Sequence, residues 1–151
     1  MHVDVRRARA HEAPALTRLA RRSKAHWGYP DELLRMWDRD LCVSADFIAT
    51  SPVCCATCYD QVVGFYGLVC QDGRVELEHL WVVPEWIGRG VGRVLLEHAL
   101  SEVRAIGSDT LVVVSDPHAR GFYEHFGAEL MGEHESVPAG RALPVLSIPV
   151  H

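Results

Sequence analysis

The chain has 151 residues, 48% of them apolar and 23% charged, the proportions of an ordinary soluble protein whose single core buries about 70% of the unfolded surface. A formal charge of −5 supplies no basic footprint for nucleic acid, no apolar run approaches the roughly 18 residues that span a bilayer, and Asp4, Arg6, Arg7 and Arg9 interrupt any secretory segment at the start. One cytoplasmic domain over residues 1–151 is expected, without a nucleic-acid or membrane partner.

His2 to Arg9 alternates as a short strand, and Ala13, Leu16, Leu19 and Ala20 then recur at helical spacing. The loop KAHWGYP leads into a second helical stretch with the stripe Leu33, Leu34, Trp37 and Leu41, its start marked by Pro30 and Asp31. From Val53 the pattern becomes VCCATCY, VVGFYGLVC and RVELEHLWVV, three strands with turns expected at Asp60-Gln61 and Asp72-Gly73. Asp-Gly between strand-like runs predicts a type I′ hairpin, because that turn needs positive φ at both central positions.

The glycine-rich WIGRGVG then opens a helix whose buried face is Val91, Val94, Leu95, Ala99, Val103 and Ile106, stopped at Gly107. TLVVVS reads as a buried strand. Asp116 and Pro117 suit the N-cap and first position of a helix with the stripe Ala119, Phe122, Tyr123 and Phe126, ended by Gly127. Two more strands follow, around Ala128 to Glu133 and Leu143 to Val150.

Cys42, Cys54, Cys55, Cys58 and Cys70 are odd in number, and no second pair completes a zinc site beside Cys55 and Cys58. Cys54, Cys55 and Cys58 read as small buried apolar groups, Cys54 and Cys58 on one face of their strand and Cys55 on the other. A metal or redox module is the competing reading, and no metal is expected.

A strand, a glycine-rich turn and a helix together form a device for holding phosphate. The first turn of a helix carries unpaired N–H groups and a partial positive charge, and glycine lets an anion come close to the backbone. Gly88, Gly90 and Gly92 suit that role, with Arg89 and Arg93 as charged neighbours. The spacing is neither a Walker A loop nor GxGxxG.

LEHLWVVPEWIGRGVGRVLLEHAL, followed about two dozen residues later by SDPHARGFYEHFGA, resembles the GCN5-related N-acetyltransferase (GNAT) family across nearly the whole chain. The resemblance implies a mixed, mostly antiparallel twisted sheet of about seven strands flanked by four helices. It also implies direct transfer of an acetyl group from acetyl-CoA to an amine. The family's pyrophosphate-binding Q/R-x-x-G-x-G/A falls on Ile87, Gly88, Arg89, Gly90, Val91 and Gly92, with Ile87 departing from the polar first position. The preceding strand, Leu80, Trp81, Val82 and Val83, would serve the pantetheine arm, Leu80 N–H being the nearest match for an oxyanion donor. Asn-x-x-Ala-x-x-x-Tyr is matched by Asp116, Ala119 and Tyr123, with Asp in place of Asn.

An alkylammonium must shed a proton before it attacks, at a cost of about 4.6 kcal/mol at pH 7. Glu76 and Glu78 share one side of their strand under simple alternation. Glu76 stands where some family members carry the general base, and a bulge would change which carboxylate faces the cleft. His79, on the opposite side unless such a bulge intervenes, is a further candidate for the base and for the acceptor site, with plain packing as its alternative. Tyr123 occupies the place of the family's tyrosine acid, which protonates the departing thiolate, and it also lies on the apolar stripe of its helix. His26, Trp27 and Tyr29 suit the lining of an acceptor pocket. The expected acceptor is a primary amine of a small molecule, with a peptide amine second and a non-catalytic acyl-CoA sensor as the rival class. A homodimer is the protein partner the resemblance suggests.

Overall fold

The computed structural model describes residues 2–138 and 140–150. Its elements run β1 (Asp4–Arg7), α1 (Ala13–Ala25), α2 (Asp31–Met36), α3 (Asp38–Leu41), α4 (Ala45–Thr50), β2 (Val53–Cys58), β3 (Gln61–Gln71), β4 (Arg74–Val82), α5 (Val91–Ile106), β5 (Thr110–Val114), α6 (Arg120–His125), β6 (Glu129–Ser136) and β7 (Arg141–Pro149). The strands form one seven-stranded sheet in the order β1-β2-β3-β4-β5-β7-β6. It is antiparallel at β1–β2, β2–β3, β5–β7 and β6–β7, and parallel where Glu76 of β4 meets Val112 of β5.

Contacts gather the chain into two compact units. One comprises the residues up to Leu68 with His79–Ala99, the other Val69–Glu78 with the residues from Leu100 onward. The first has its core where α1 covers the sheet. Leu16, Leu19 and Ala20 of the helix pack with Leu41, Val43, Ile48, Val53, Cys55 and Phe65, and Trp81 and Val83 close the margin. Five of the six residues of β2 are buried, as in a strand covered on both faces. Gly64 of β3 permits a close approach on this unit's other layer: a Cβ there would lie 2.8 Å from the Trp81 carbonyl oxygen and 3.0 and 3.1 Å from Leu95 and Val91 of α5. In the second unit Leu111, Leu146 and Ile148 are fully buried, in the β5–β7 ladder.

Several elements depart from expectation. Among the described residues six helices stand where four were expected. The long second helix breaks into α2 and α3 at Trp37, whose φ of −93° and ψ of 0° leave the helical region. The short α4 went unforeseen although Ser44 caps it, its side chain accepting from Phe47 N–H. The first hairpin turns on Tyr59 and Asp60, one residue early, with φ of 50° and 63°. The second turns on Asp72 and Gly73, with φ of 53° and 76°, the two positive values of a type I′ turn.

A register shift between Ala56 and Thr57 resets the alternation that would set Cys54 and Cys58 on one face. Cys54, Cys55 and Cys58 are all buried. Ile106, assigned to the buried face of α5, is 46% exposed at the end of the helix. The sixth helix begins at Arg120 with Ala119 as its N-cap, so Asp116 does not cap it. Asp116 instead closes a turn, Oδ1 accepting from His118 N–H at 2.9 Å while its carbonyl accepts from Ala119 N–H at 2.9 Å.

Candidate functional site

The glycine-rich segment joins the end of β4 to the head of α5. Val83 N–H donates to Val63 O at 2.9 Å, tying the end of β4 to β3. Pro84–Trp86 then forms a single 3-10 turn. Gly88 and Gly90 follow with φ of 80° and 88°, flanking Arg89, whose N–H donates back to Trp86 O at 3.3 Å. No heavy atom lies within 4 Å of where a Cβ would stand at either glycine. The backbone is therefore open on that side, as an anion cradle requires. Val94 N–H bonds to Gly90 O at 3.1 Å, which fixes the start of α5 and leaves the N–H groups of its first turn without acceptors inside the helix. Arg89 stacks on Trp86, 4.1 Å from the ring centroid, and exposed Arg93 pairs with Glu97 at 2.9 Å.

Alternation along β4 sorts the other candidates. Leu80, Trp81, Val82 and Val83 are half-buried. His79 is buried, its ring flanked by Phe47 and Phe65 at centroid distances of 5.9 and 5.7 Å. Trp81 Nε1 donates to His79 Nδ1 at 3.0 Å, so the ring is the Nε2–H tautomer. Burial pulls its pKa down to about 4. Glu76 is half-buried and pairs with Arg74 at 3.0 Å, and Glu78 is exposed.

In the α1–α2 loop, His26 and Trp27 are exposed and meet edge-on at 5.2 Å, whereas Tyr29 turns inward against Trp37 at 4.8 Å. The structure adds a residue that sequence reasoning did not single out. Lys24 is buried, with Nζ over the rings of Trp37, Tyr29 and Trp81. Tyr29 and Trp37 follow Lys24 within a short stretch, but Trp81 stands far along the sequence on β4, and the convergence of all three rings has no local signal.

In the second unit, Tyr123 is buried on α6 with its phenol pKa raised, chiefly by burial and further by the Asp116 charge. Such a hydroxyl stays protonated through the neutral range and can donate. Asp116 Oδ1 also lies 2.8 Å from His118 Nδ1, and Oδ2 lies 3.8 Å from Arg141. Ala119 is half-buried. Among the described residues no three His, Cys, Asp or Glu side chains gather as metal ligands would, and burial pushes the Cys55 thiol up to about 12, which makes it inert. No helix among them is long and apolar enough to cross a membrane.

Comparison with known proteins agrees with this architecture. The family description "Acetyltransferase (GNAT) domain" matches residues 49–127. A peptidyl-lysine N-acetyltransferase of Salmonella typhimurium, YjaB, is 31% identical over 150 residues, covering 98% of each chain. Among solved structures, the PaiA N-acetyltransferase of Thermoplasma acidophilum, in complex with coenzyme A, superposes with a TM-score of 0.82 at 17% identity over 99% of each chain. YncA of Salmonella typhimurium, a putative acetyltransferase with its cofactor acetyl-CoA, does so with a TM-score of 0.72 at 20% identity, over 100% of this chain and 95% of that one. By sequence and by fold, the chain belongs to the GNAT family of acetyltransferases.

Proposed function

We propose that the chain transfers an acetyl group from acetyl-CoA to a primary alkylamine, and that a lysine side chain of a peptide is the first acceptor to test. The observation that carries the donor half is the pair of left-handed glycines, Gly88 and Gly90, with open space beside both at the head of α5. Backbone N–H groups there suit a diphosphate, with Arg89 and Arg93 as flanking charge. Leu80 to Val83 would offer backbone groups to the pantetheine arm, with Leu80 N–H facing the thioester oxygen. The acceptor half rests on the peptidyl-lysine relative that covers nearly the whole chain. The small-molecule amine expected from the sequence shares the same chemistry.

In the proposed reaction the ammonium first loses a proton to Glu76 or Glu78, directly or through water. The free amine forms a bond to the carbonyl carbon as the carbon–sulfur bond breaks, and Tyr123 returns a proton to the thiolate. Asp116 and Ala119 would border the coenzyme in the turn before α6. His79, neutral and already accepting from Trp81, is assigned to shaping the acceptor side rather than to proton transfer. Release of free thiol from acetyl-CoA, measured against lysine-containing peptides and a panel of small amines, tests the reading. Coenzyme binding without thiol release on any acceptor would refute it, and the ranking of acceptors separates peptide from small molecule.

A further inference from the structure

Lys24 sits in the last turn of α1 and is 8% exposed. Its ammonium lies 4.7 Å from the ring centroid of Trp37, 4.9 Å from that of Tyr29 and 6.0 Å from that of Trp81. Tyr29 and Trp37 meet nearly perpendicular, at 89°, and so form adjoining walls. The rings come from the loop after α1, the junction of α2 and α3, and β4. The cage is thus a product of the tertiary fold and not of neighbours along one helix. Aromatic faces gathered around one cation are how proteins hold alkylammonium ions, and lysine normally keeps its charged head in water.

We propose that the Tyr29–Trp37–Trp81 cage is the site that receives the acceptor's alkylammonium, and that Lys24 is its resident occupant, which the incoming amine displaces. The identity of the incoming cation as the acceptor rests on the acetyltransferase reading above; the cation selectivity of the cage does not. Trp81 belongs to the strand assigned to the pantetheine arm, so an ammonium held against its ring would stand beside that strand. The lysine stem is long and flexible, and its withdrawal would leave a slot shaped for a second side chain of the same kind. The cage would then select flexible primary alkylammonium acceptors, lysyl side chains among them, over arylamines and alcohols. Two ammonium groups cannot share it, because like charges at such separation repel strongly.

The first test omits acetyl-CoA. Lys24→Met keeps most of the stem and removes the charge. Methylammonium, followed by tryptophan fluorescence, is expected to bind this variant at least tenfold more tightly than it binds the unaltered protein, with methanol as the neutral control and sodium chloride matching ionic strength. Equal affinity for both proteins, or an equal response to methanol, would overturn the proposal. A second test needs no variant. Saturating n-butylammonium should shift the Nζ resonance of Lys24 toward that of a solvated lysine. An unmoved resonance would likewise overturn it. If both tests succeed while no amine accepts an acetyl group, the catalytic reading fails and the cage stands.

Discussion

Gly64→Ala tests how the candidate site is seated. The added methyl would sit 2.8 Å from the Trp81 carbonyl oxygen, 3.0 Å from Leu95 Cδ1 and 3.1 Å from Val91 Cγ1. The two leucine and valine methyls can rotate, but the carbonyl belongs to backbone, so β4 must move outward by several tenths of an ångström. Overpacking of this kind costs about 1–3 kcal/mol, and the loss of glycine's freedom in the unfolded chain returns about 0.4–1 kcal/mol. A net destabilisation of about 1–2 kcal/mol is expected, read as a lower urea midpoint at unchanged m-value. Because the displaced carbonyl is that of Trp81 and the crowded side chains are those of α5's first two turns, coenzyme affinity should fall several-fold with stability. Titration calorimetry with coenzyme A measures it. A variant within about 0.5 kcal/mol of the unaltered protein, the range of an inconsequential substitution, and with unchanged affinity would show that β4 and α5 are not locked together through this glycine.

Gly90→Ala places a side chain at φ of 88°, a strain of about 1–2 kcal/mol, and should weaken coenzyme binding about tenfold in the same calorimetric assay. Tyr123→Phe should lower kcat by about tenfold or more at little change in coenzyme affinity, as expected for a proton donor; steady-state thiol release decides it. Acid should destabilise the fold in two windows. Between its ordinary 6.5 and about 4, His79 refuses in the native state a proton that the unfolded chain accepts, so its contribution is complete above pH 6.5 and is lost as pH falls toward 4, about 3 kcal/mol in all. Denaturation at pH 7 and pH 4 should show that loss, and His79→Phe should flatten it. Glu12, held at about 2 mainly by its paired hydrogen bonds from Arg6 at 2.8 and 2.9 Å, contributes stability that is present above pH 4.5 and lost below it, a slope Glu12→Gln should remove.

What could be read from the sequence was set by local physics. The hairpin at Asp72-Gly73 was legible because only residues tolerant of positive φ turn two strands so tightly, and both take it. The head of α5 was legible because its apolar helical stripe begins directly after glycines, and Gly88 and Gly90 take the positive φ that other residues avoid. The helix breaks were not. Trp37 continues the stripe by spacing, yet its ring is needed inward over Lys24, and the backbone leaves the helical region there to deliver it. That is a tertiary demand with no trace in periodicity. Asp116-Pro117 carried a true local signal with the wrong destination, for the aspartate closes its own turn and the helix starts four residues later. Lys24 was invisible for the same reason as Trp37, since its partners are brought together only by the fold.

The side-chain sorting along β4 narrows the choice of proton acceptor. Val75, Leu77 and His79 are buried in strict alternation, while Glu76 and Glu78 retain access to solvent. A base must exchange protons with water and keep a free acceptor nitrogen or oxygen for the substrate. His79 meets neither condition, because it is buried and its Nδ1 already accepts from Trp81. Its ring instead fixes the indole of Trp81, which is also one wall of the cage around Lys24. Replacing His79 should therefore raise the KM for the amine more than it lowers kcat, whereas Glu76→Gln and Glu78→Gln should split the other way, one of them shifting the acid limb of the kcat profile. If the histidine variant alone removed that limb, the assignment of proton transfer to the carboxylates would be wrong.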